Sequence, residues 1–169
     1  MILSRFFRRR NLPAQGLYGA IVAAARQPLA YAQWGVPDTV EGRFDMIILH
    51  QFLVLERLKA GGAATEALMQ ELTDAFFSDM DRSLREMGVG DLSVGKKVRR
   101  MAEAYHGRLQ AYAASFADPA GFTEALRRNI FAGVAVGQPE ALAAHARTVA
   151  NHLQGLATQD LLHGRITFP

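Results

Sequence analysis

The sequence contains no cysteine among its 169 residues. This absence excludes a disulfide framework, a thiolate nucleophile, an iron–sulfur cluster and a cysteine-based zinc site. β-Branched residues are few and scattered, and no segment shows the alternation of apolar and polar residues that is typical of a strand. A chain of this length can bury roughly 70% of the surface that it exposes when unfolded, so one hydrophobic core is sufficient for folding. We therefore expect a single helical domain.

Long apolar runs are also missing at the start of the chain, MILSRFFRRR. This segment is far shorter than the roughly 20 apolar residues that span a bilayer, and it lacks the pattern of a secretory signal. Two interpretations remain: a frayed basic tail, or a small element that touches an anionic membrane surface. We expect a cytoplasmic protein, with peripheral contact at the inner membrane left open. The residues that would make this membrane contact are Arg5, Phe6, Phe7, Arg8, Arg9 and Arg10.

Signals for helix starts and ends follow one another along the chain. They predict an all-α fold, an irregular bundle of about six helices over residues 13–163, with a basic amphipathic tail over residues 1–12 and an irregular tail over residues 164–169. The first helix is expected to run to about Gln27, and residues 28–37 are expected to form a loop. Asp38 and Glu41 match a capping box at the start of the second helix. The later helices are predicted to begin near Ala64, Asp91, Asp118 and Pro139.

The segment GRFDMIILHQFLVLERL predicts a helix that is apolar nearly all round and therefore buried. Arg43, His50 and Arg57 recur on it every seven residues, so they share one narrow line. A buried arginine cannot lose its charge and must be paired or reach solvent. Asp79 and Glu86 of the next helix are also seven apart, and we predict that they face this line. The five residues would form an internal ion network, or part of the line would open into a groove that grips a partner.

Other charged residues indicate exposed helix faces. Asp81 and Arg85, four residues apart, are expected to form an exposed pair. Lys96, Lys97, Arg99 and Arg100 cluster in the first half of the fourth predicted helix. Such a cluster is typical of a solvated face, and the alternative is contact with the phosphates of RNA or of lipid headgroups. In the same helix, Gly107 predicts a close helix crossing.

A search for catalytic chemistry finds no pattern that supports an enzyme. His145 and His152 are seven apart without a third ligand at metal spacing. The sequence has no nucleophile elbow, phosphate loop or dinucleotide fingerprint. We expect His50 to be a buried, hydrogen-bonded histidine. A binding protein without catalytic residues, metal or cofactor is therefore predicted.

Three ordered blocks between about Tyr31 and Tyr112 carry a resemblance to a known family. They read GRFDMIILHQFLVLERL, FFSDMDRSLREMGVGD and SVGKKVRRMAEAYHGRLQAY. In these blocks the chain resembles the ubiquinol–cytochrome c reductase (cytochrome bc1 complex) assembly chaperone family, and looks like a short, bacterial-type member of it.

The resemblance implies a non-catalytic chaperone of the respiratory chain. Its client would be newly made cytochrome b or another bc1 subunit, with a second small assembly protein and an anionic membrane as further partners. The contact surface expected from the blocks comprises Asp45, Asp81, Arg85, Lys96 and Lys97. The alternative is a ribosome- or RNA-associated factor that uses the basic helix face, although nucleic acid is the less favoured partner. A third option is a small-ligand carrier or enzyme with a pocket around His50.

Overall fold

The computed structural model describes residues 12–169, and in this part of the chain the regular structure is helical throughout, without strands. Six helices of 12 to 25 residues form the bundle: α1 (Leu12–Ala25), α3 (Val40–Lys59), α4 (Ala63–Glu86), α5 (Asp91–Ser115), α6 (Pro119–Ile130) and α7 (Pro139–Gln154). Two further helices, α2 (Pro28–Ala32) and α8 (Thr158–Leu162), have five residues each. The predicted all-α fold with about six helices is confirmed.

Helix α3 lies at the centre of the bundle, in contact with α1, α4, α5, α6 and α7. Its apolar side chains point in all directions, and residues from Phe44 to Leu55 are buried without interruption. A helix that is apolar all round can be stable in water only when other helices cover it. The prediction that this segment is buried is therefore confirmed, and five other helices pack against it.

Two local predictions differ from the structure at the start of α3. The side chain of Thr39, and not that of Asp38, accepts a hydrogen bond from the N–H of Gly42 at 3.1 Å. Asp38 instead pairs with Arg43. Residues 28–32, expected to be a loop, form α2, because Pro28 suits a first helical turn and Ala30 is buried.

Short turns join α3 to α4 and α4 to α5, so both pairs are antiparallel. Gly62 and Gly88 have φ angles of +59° and +82°, which favour glycine, and they reverse the chain at these two turns. At the start of α6, Asp118 accepts hydrogen bonds from the N–H groups of Ala120 and Gly121, as the sequence pattern predicts. The prediction for Gly107 is wrong: a Cβ there would meet no atom within 4 Å.

Candidate functional site

Helices α4 and α5 form a hairpin whose turn lies beyond the first residue of α3. The hydroxyl of Thr65 donates to the carbonyl of Leu58, and the amide of Gln51 donates to that of Leu72. This antiparallel register places the start of α3 opposite residues 80–83 of α4. The last turn of α4, residues 87–90 and the first turns of α5 therefore extend past α3. We call this part, residues 84–100, the hairpin tip.

The α4 side of the hairpin carries paired charges. Arg85 contacts Asp81, with its Nε 2.8 Å from Oδ2, and it also contacts Asp91. Arg82 lies between Asp79 and Glu86. The exposed pair Asp81–Arg85 predicted from the sequence is thus confirmed, and each cation of this face has an acidic neighbour.

The outer side of α5 carries charges of one sign. Lys96, Lys97, Arg99 and Arg100 are exposed, and none forms an ion pair with another side chain of residues 12–169. Leu92, one turn before Lys96, is fully exposed at 102%. Leu92 was not singled out from the sequence. Its position outside the apolar stripe of Val94, Val98, Met101 and Tyr105 was the signal that its side chain would be exposed.

A second surface feature is a groove of about 350 Å³ between α3, α4 and α5. Apolar side chains line its floor, and charged and amide side chains line its rim. The floor comprises Phe52, Leu55, Met69 and Leu109, and the rim includes Glu56, Lys59, Glu66 and Gln70. Phe52 and Leu55 belong to the buried core, and Met69 and Leu109 are half-buried against it, so the accessible part of the floor is mainly Met69 and Leu109.

Asp45, expected on the contact surface, is buried, so that prediction is wrong. Its side chain is only 6% exposed, and Oδ1 lies 2.7 Å from Nε of Arg108 on α5. Burial raises the pKa of Asp45 to about 6, and the positive charge of Arg108 opposes this rise. The guanidinium of Arg108 also lies over the ring of Phe44, 6.0 Å from its centroid. A buried carboxylate on a mostly apolar helix needs a cation nearby. The presence of Asp45 in this segment was therefore the signal that a basic residue such as Arg108 would lie beside it.

The predicted ion network of Arg43, His50, Arg57, Asp79 and Glu86 is not formed. Arg43 is exposed and its Nε lies 2.6 Å from Oδ1 of Asp38. Asp79 accepts a hydrogen bond from the hydroxyl of Tyr18 at 2.9 Å and contacts Arg82. Glu86 is exposed on the hairpin. His50 and Arg57 face α7, whereas Asp79 and Glu86 belong to α4, on another side of α3.

Two members of this line contact α7 or the segment that follows it. The Nε of Arg57 donates to the carbonyl of Leu153 at 2.9 Å, and its Nη2 donates to the carbonyl of Leu156 and to Thr158. His50 packs against His145 with ring centroids 5.9 Å apart. Arg57 therefore satisfies its charge at the C-terminal end of α7, where helix carbonyls lack partners inside the helix.

His50 is buried and hydrogen-bonded, as predicted. Its Nδ1 lies 2.8 Å from the carbonyl oxygen of Met46, and a carbonyl can only accept, so Nδ1 donates. Burial lowers the pKa of His50 to about 4, so the ring is neutral at neutral pH. A cavity of about 280 Å³ adjoins it, with His145, Val149 and Phe168 among its lining residues. The lining contains two histidines and no side-chain carboxylate or hydroxyl.

Some predicted features lie outside what the structure describes. Arg5, Phe6, Phe7, Arg8, Arg9 and Arg10 precede residue 12, the first described residue. Among residues 12–169, no helix combines the length and the apolar character that crossing a bilayer requires. The same residues contain no group of three or more histidine or carboxylate side chains placed to hold a metal ion.

Comparisons with known proteins agree on one family. A family model described as ubiquinol-cytochrome C chaperone matches residues 32–168. A solved structure described as the Cbp3 homolog from Brucella abortus is similar over 93% of this chain and 88% of that chain, with 39% sequence identity and a TM-score of 0.82. The chain matches none of the curated proteins with which it was compared.

Proposed function

Because this chain belongs to the ubiquinol–cytochrome c chaperone family, we propose that it is a non-catalytic assembly chaperone of the cytochrome bc1 complex that binds newly made cytochrome b. The observation that carries this proposal is the apolar-floored groove between α3, α4 and α5. Membership of the family supports the role in assembly, and the groove supplies a surface on which an apolar client can rest.

The groove suits a client that has to be released. Met69 and Leu109 are half-buried and present apolar surface above the buried side chains of Phe52 and Leu55. Covering such surface stabilises a complex by roughly 25 cal/mol for each Å² removed from water. About 350 Å³ accommodates a few side chains and not a whole helix. Binding would therefore be reversible, and Glu56 and Glu66 keep the rim hydrated when the groove is empty.

The exposed charges of the hairpin extend this contact surface. Of the residues proposed from the sequence, Asp81, Arg85, Lys96 and Lys97 are accessible or partly accessible on the hairpin. Asp81 and Arg85 form a dipolar pair that can bind polar loops of the client next to its apolar segments. A second small assembly protein, implied by the resemblance, belongs to the proposal as a further partner.

The proposal is tested in a strain that lacks the gene. Reduced-minus-oxidised haem spectra and a cytochrome b immunoblot report the client, and bc1 activity reports the assembled complex. We expect all three to fall in the deletion strain and to return with the wild-type gene. Normal cytochrome b and bc1 activity in the deletion strain would rule out the proposed function.

Variants of the same assay test the groove. Gln70→Arg with Ala113→Arg places two cations on the groove walls, at exposed positions of α4 and α5. Ala144→Arg with Thr148→Arg adds the same charge to the exposed side of α7. We expect the first pair to fail in restoring cytochrome b and the second pair to restore it, with both variants folded by circular dichroism. Full restoration by the groove variant would exclude the groove as the client site.

The polar part of the surface is tested by exchanging the charges of one ion pair. Asp81→Arg with Arg85→Asp keeps opposite charges four residues apart, so the pair within α4 is retained, and the contact of residue 85 with Asp91 is lost. The pattern presented to a client is nevertheless reversed. We expect reduced cytochrome b with this variant, and wild-type levels would remove Asp81 and Arg85 from the contact surface.

A further inference from the structure

The outer face of α5 at the hairpin tip carries a cluster of basic residues, whereas the neighbouring face of α4 carries paired charges. Leu92, Lys96 and Arg99 lie at spacings of four and three residues, so they form one line along the helix. Lys97 and Arg100 lie beside this line, and the buried Val94 lies on the opposite side. Glu103, at the next position of the line, marks where the basic face ends.

The unpaired state of these cations is the first observation that points to a partner. On α4, Arg82 and Arg85 each have acidic neighbours. On α5, four cations lie within five residues, and none is paired within residues 12–169. Their mutual repulsion is relieved by a surface of negative charge.

Exposed apolar side chains are the second observation. Leu92 is 102% exposed, and Met87, in the turn between α4 and α5, is 51% exposed. RNA would not cover an aliphatic tip, and residues 84–100 contain no aromatic side chain on which bases could stack. A lipid surface accommodates both kinds of group, because its phosphates attract cations and its acyl boundary takes up apolar side chains.

We propose that the hairpin tip docks on an anionic lipid bilayer. Met87 and Leu92 enter the headgroup region, and Lys96, Lys97, Arg99 and Arg100 contact lipid phosphates. The carboxylates of the tip, Glu86 and Asp91, do not prevent docking, because residues 84–100 carry five cations against these two anions. The lining of the groove reaches Thr73 on α4. Along the helix axis, at 1.5 Å per residue, Thr73 lies about 20 Å from Met87 at the tip. The docked tip would therefore hold the groove near, but not in, the membrane.

The experiment uses the full chain and vesicles of phosphatidylcholine with and without phosphatidylglycerol. We expect cosedimentation with the anionic vesicles that weakens as salt is added. Lys96→Gln with Arg99→Gln should lower the partition coefficient roughly thirtyfold, because each basic residue near such a surface contributes a factor of about five. Leu92→Ser should lower it several-fold. Arg127→Gln with Arg128→Gln removes the same charge from the exposed side of α6 and should bind almost as the wild type does.

Two results would overturn the proposal. Wild-type binding of either hairpin variant would place any membrane contact elsewhere, such as in residues 1–11, and a chain lacking those residues would then lose the binding. The same variants are titrated with single-stranded RNA. Loss of RNA binding in the lysine–arginine variant, with vesicle binding unchanged, would assign the basic face to nucleic acid. All variants change exposed residues, and circular dichroism confirms that each is folded.

Discussion

Burial controls the protonation of two side chains on α3, Asp45 and His50. Removal from water disfavours the charged form of both groups, so it raises the pKa of Asp45 to about 6 and lowers that of His50 to about 4. Arg108 opposes the shift of Asp45, and the carbonyl of Met46 opposes that of His50, but neither outweighs burial. Both groups therefore favour the neutral form, with opposite consequences as the pH changes.

Asp45→Asn should change the pH dependence of stability. The folded protein protonates Asp45 at about pH 6, whereas the usual pKa is 3.8. The stabilisation that comes from this raised pKa is therefore fully present below pH 3.8. It is lost as the pH rises through about 6, and the loss is on the order of 3 kcal/mol. Urea unfolding of both proteins between about pH 4 and pH 7 measures this. The stability of the variant relative to the wild type should increase with pH, and a constant difference would contradict the assignment.

His50→Gln should have the opposite effect. The pKa of His50 falls from 6.5 in its ordinary state to about 4 in the fold, so its contribution is present above pH 6.5 and is lost as the pH falls toward 4. The variant lacks this titration. On acidification from about pH 7 to pH 4, its free energy of unfolding should fall less than that of the wild type. Equal slopes in parallel urea titrations would show that His50 ionises normally.

Within single helices, Gly42 and Gly107 show that glycine can occupy a helical position for different reasons. A Cβ at Gly42, in the first turn of α3, would lie 2.0 Å from the carbonyl oxygen of Pro37. A Cβ at Gly107, within α5, would lie in open space. The first glycine is required by a close approach of the chain, whereas the second only lowers the helix propensity of α5.

Alanine substitutions should separate these two cases. Gly107→Ala should raise the free energy of unfolding by about 1 kcal/mol, because alanine has the higher helix propensity and nothing obstructs its methyl group. Gly42→Ala should lower the free energy by about 2 kcal/mol or more, because the backbone has to move. Thermal and urea unfolding of the two variants provide the comparison. Stabilisation by both, or destabilisation by both, would show that the local spacing is misjudged.

The starts of the helices show which boundaries can be predicted from short sequence patterns. Asp118 followed by Pro119 predicts the beginning of α6, because the cap and the proline act within one turn. Helix α2 escaped prediction because its five residues are too few for a periodic pattern. Its position depends on tertiary contacts, including the hydrogen bond from the hydroxyl of Tyr31 to the carbonyl of Ala25. The cap at Thr39 instead of Asp38 is a shift of one residue that the sequence pattern does not resolve.

Across the whole molecule, Arg57 joins the end of α3 to the last turn of α7, to the link that follows and to the start of α8. Its partners Leu153, Leu156 and Thr158 are about a hundred positions away in the sequence. The guanidinium binds two carbonyls and a hydroxyl at once, and only 7% of the residue is exposed. Breaking these bonds would therefore loosen the C-terminal part of the bundle from its central helix.

Arg57→Met should lower the free energy of unfolding by about 3 kcal/mol, since the hydrogen bonds that this charged donor makes to Leu153, Leu156 and Thr158 are lost. Lys59→Met, at an exposed position two residues away where the lysine pairs with Glu56, should change it by less than about 0.5 kcal/mol. Urea unfolding of the two variants gives both values. A similar small change in both would show that solvent already satisfies the partners of Arg57.

The sequence alone determines the six long helices of this protein, their approximate limits and the burial of α3, because propensity, capping and periodicity act over a few residues. It also places Arg43, His50 and Arg57 on one line. The tertiary structure decides that His50 and Arg57 face α7, that Arg108 pairs with Asp45, and that Leu92 is left in solvent beside four cations that have no ion pair within residues 12–169. The physical reason is that a helical period specifies which residues share a face, whereas the neighbour of that face depends on the packing of segments far apart in the chain.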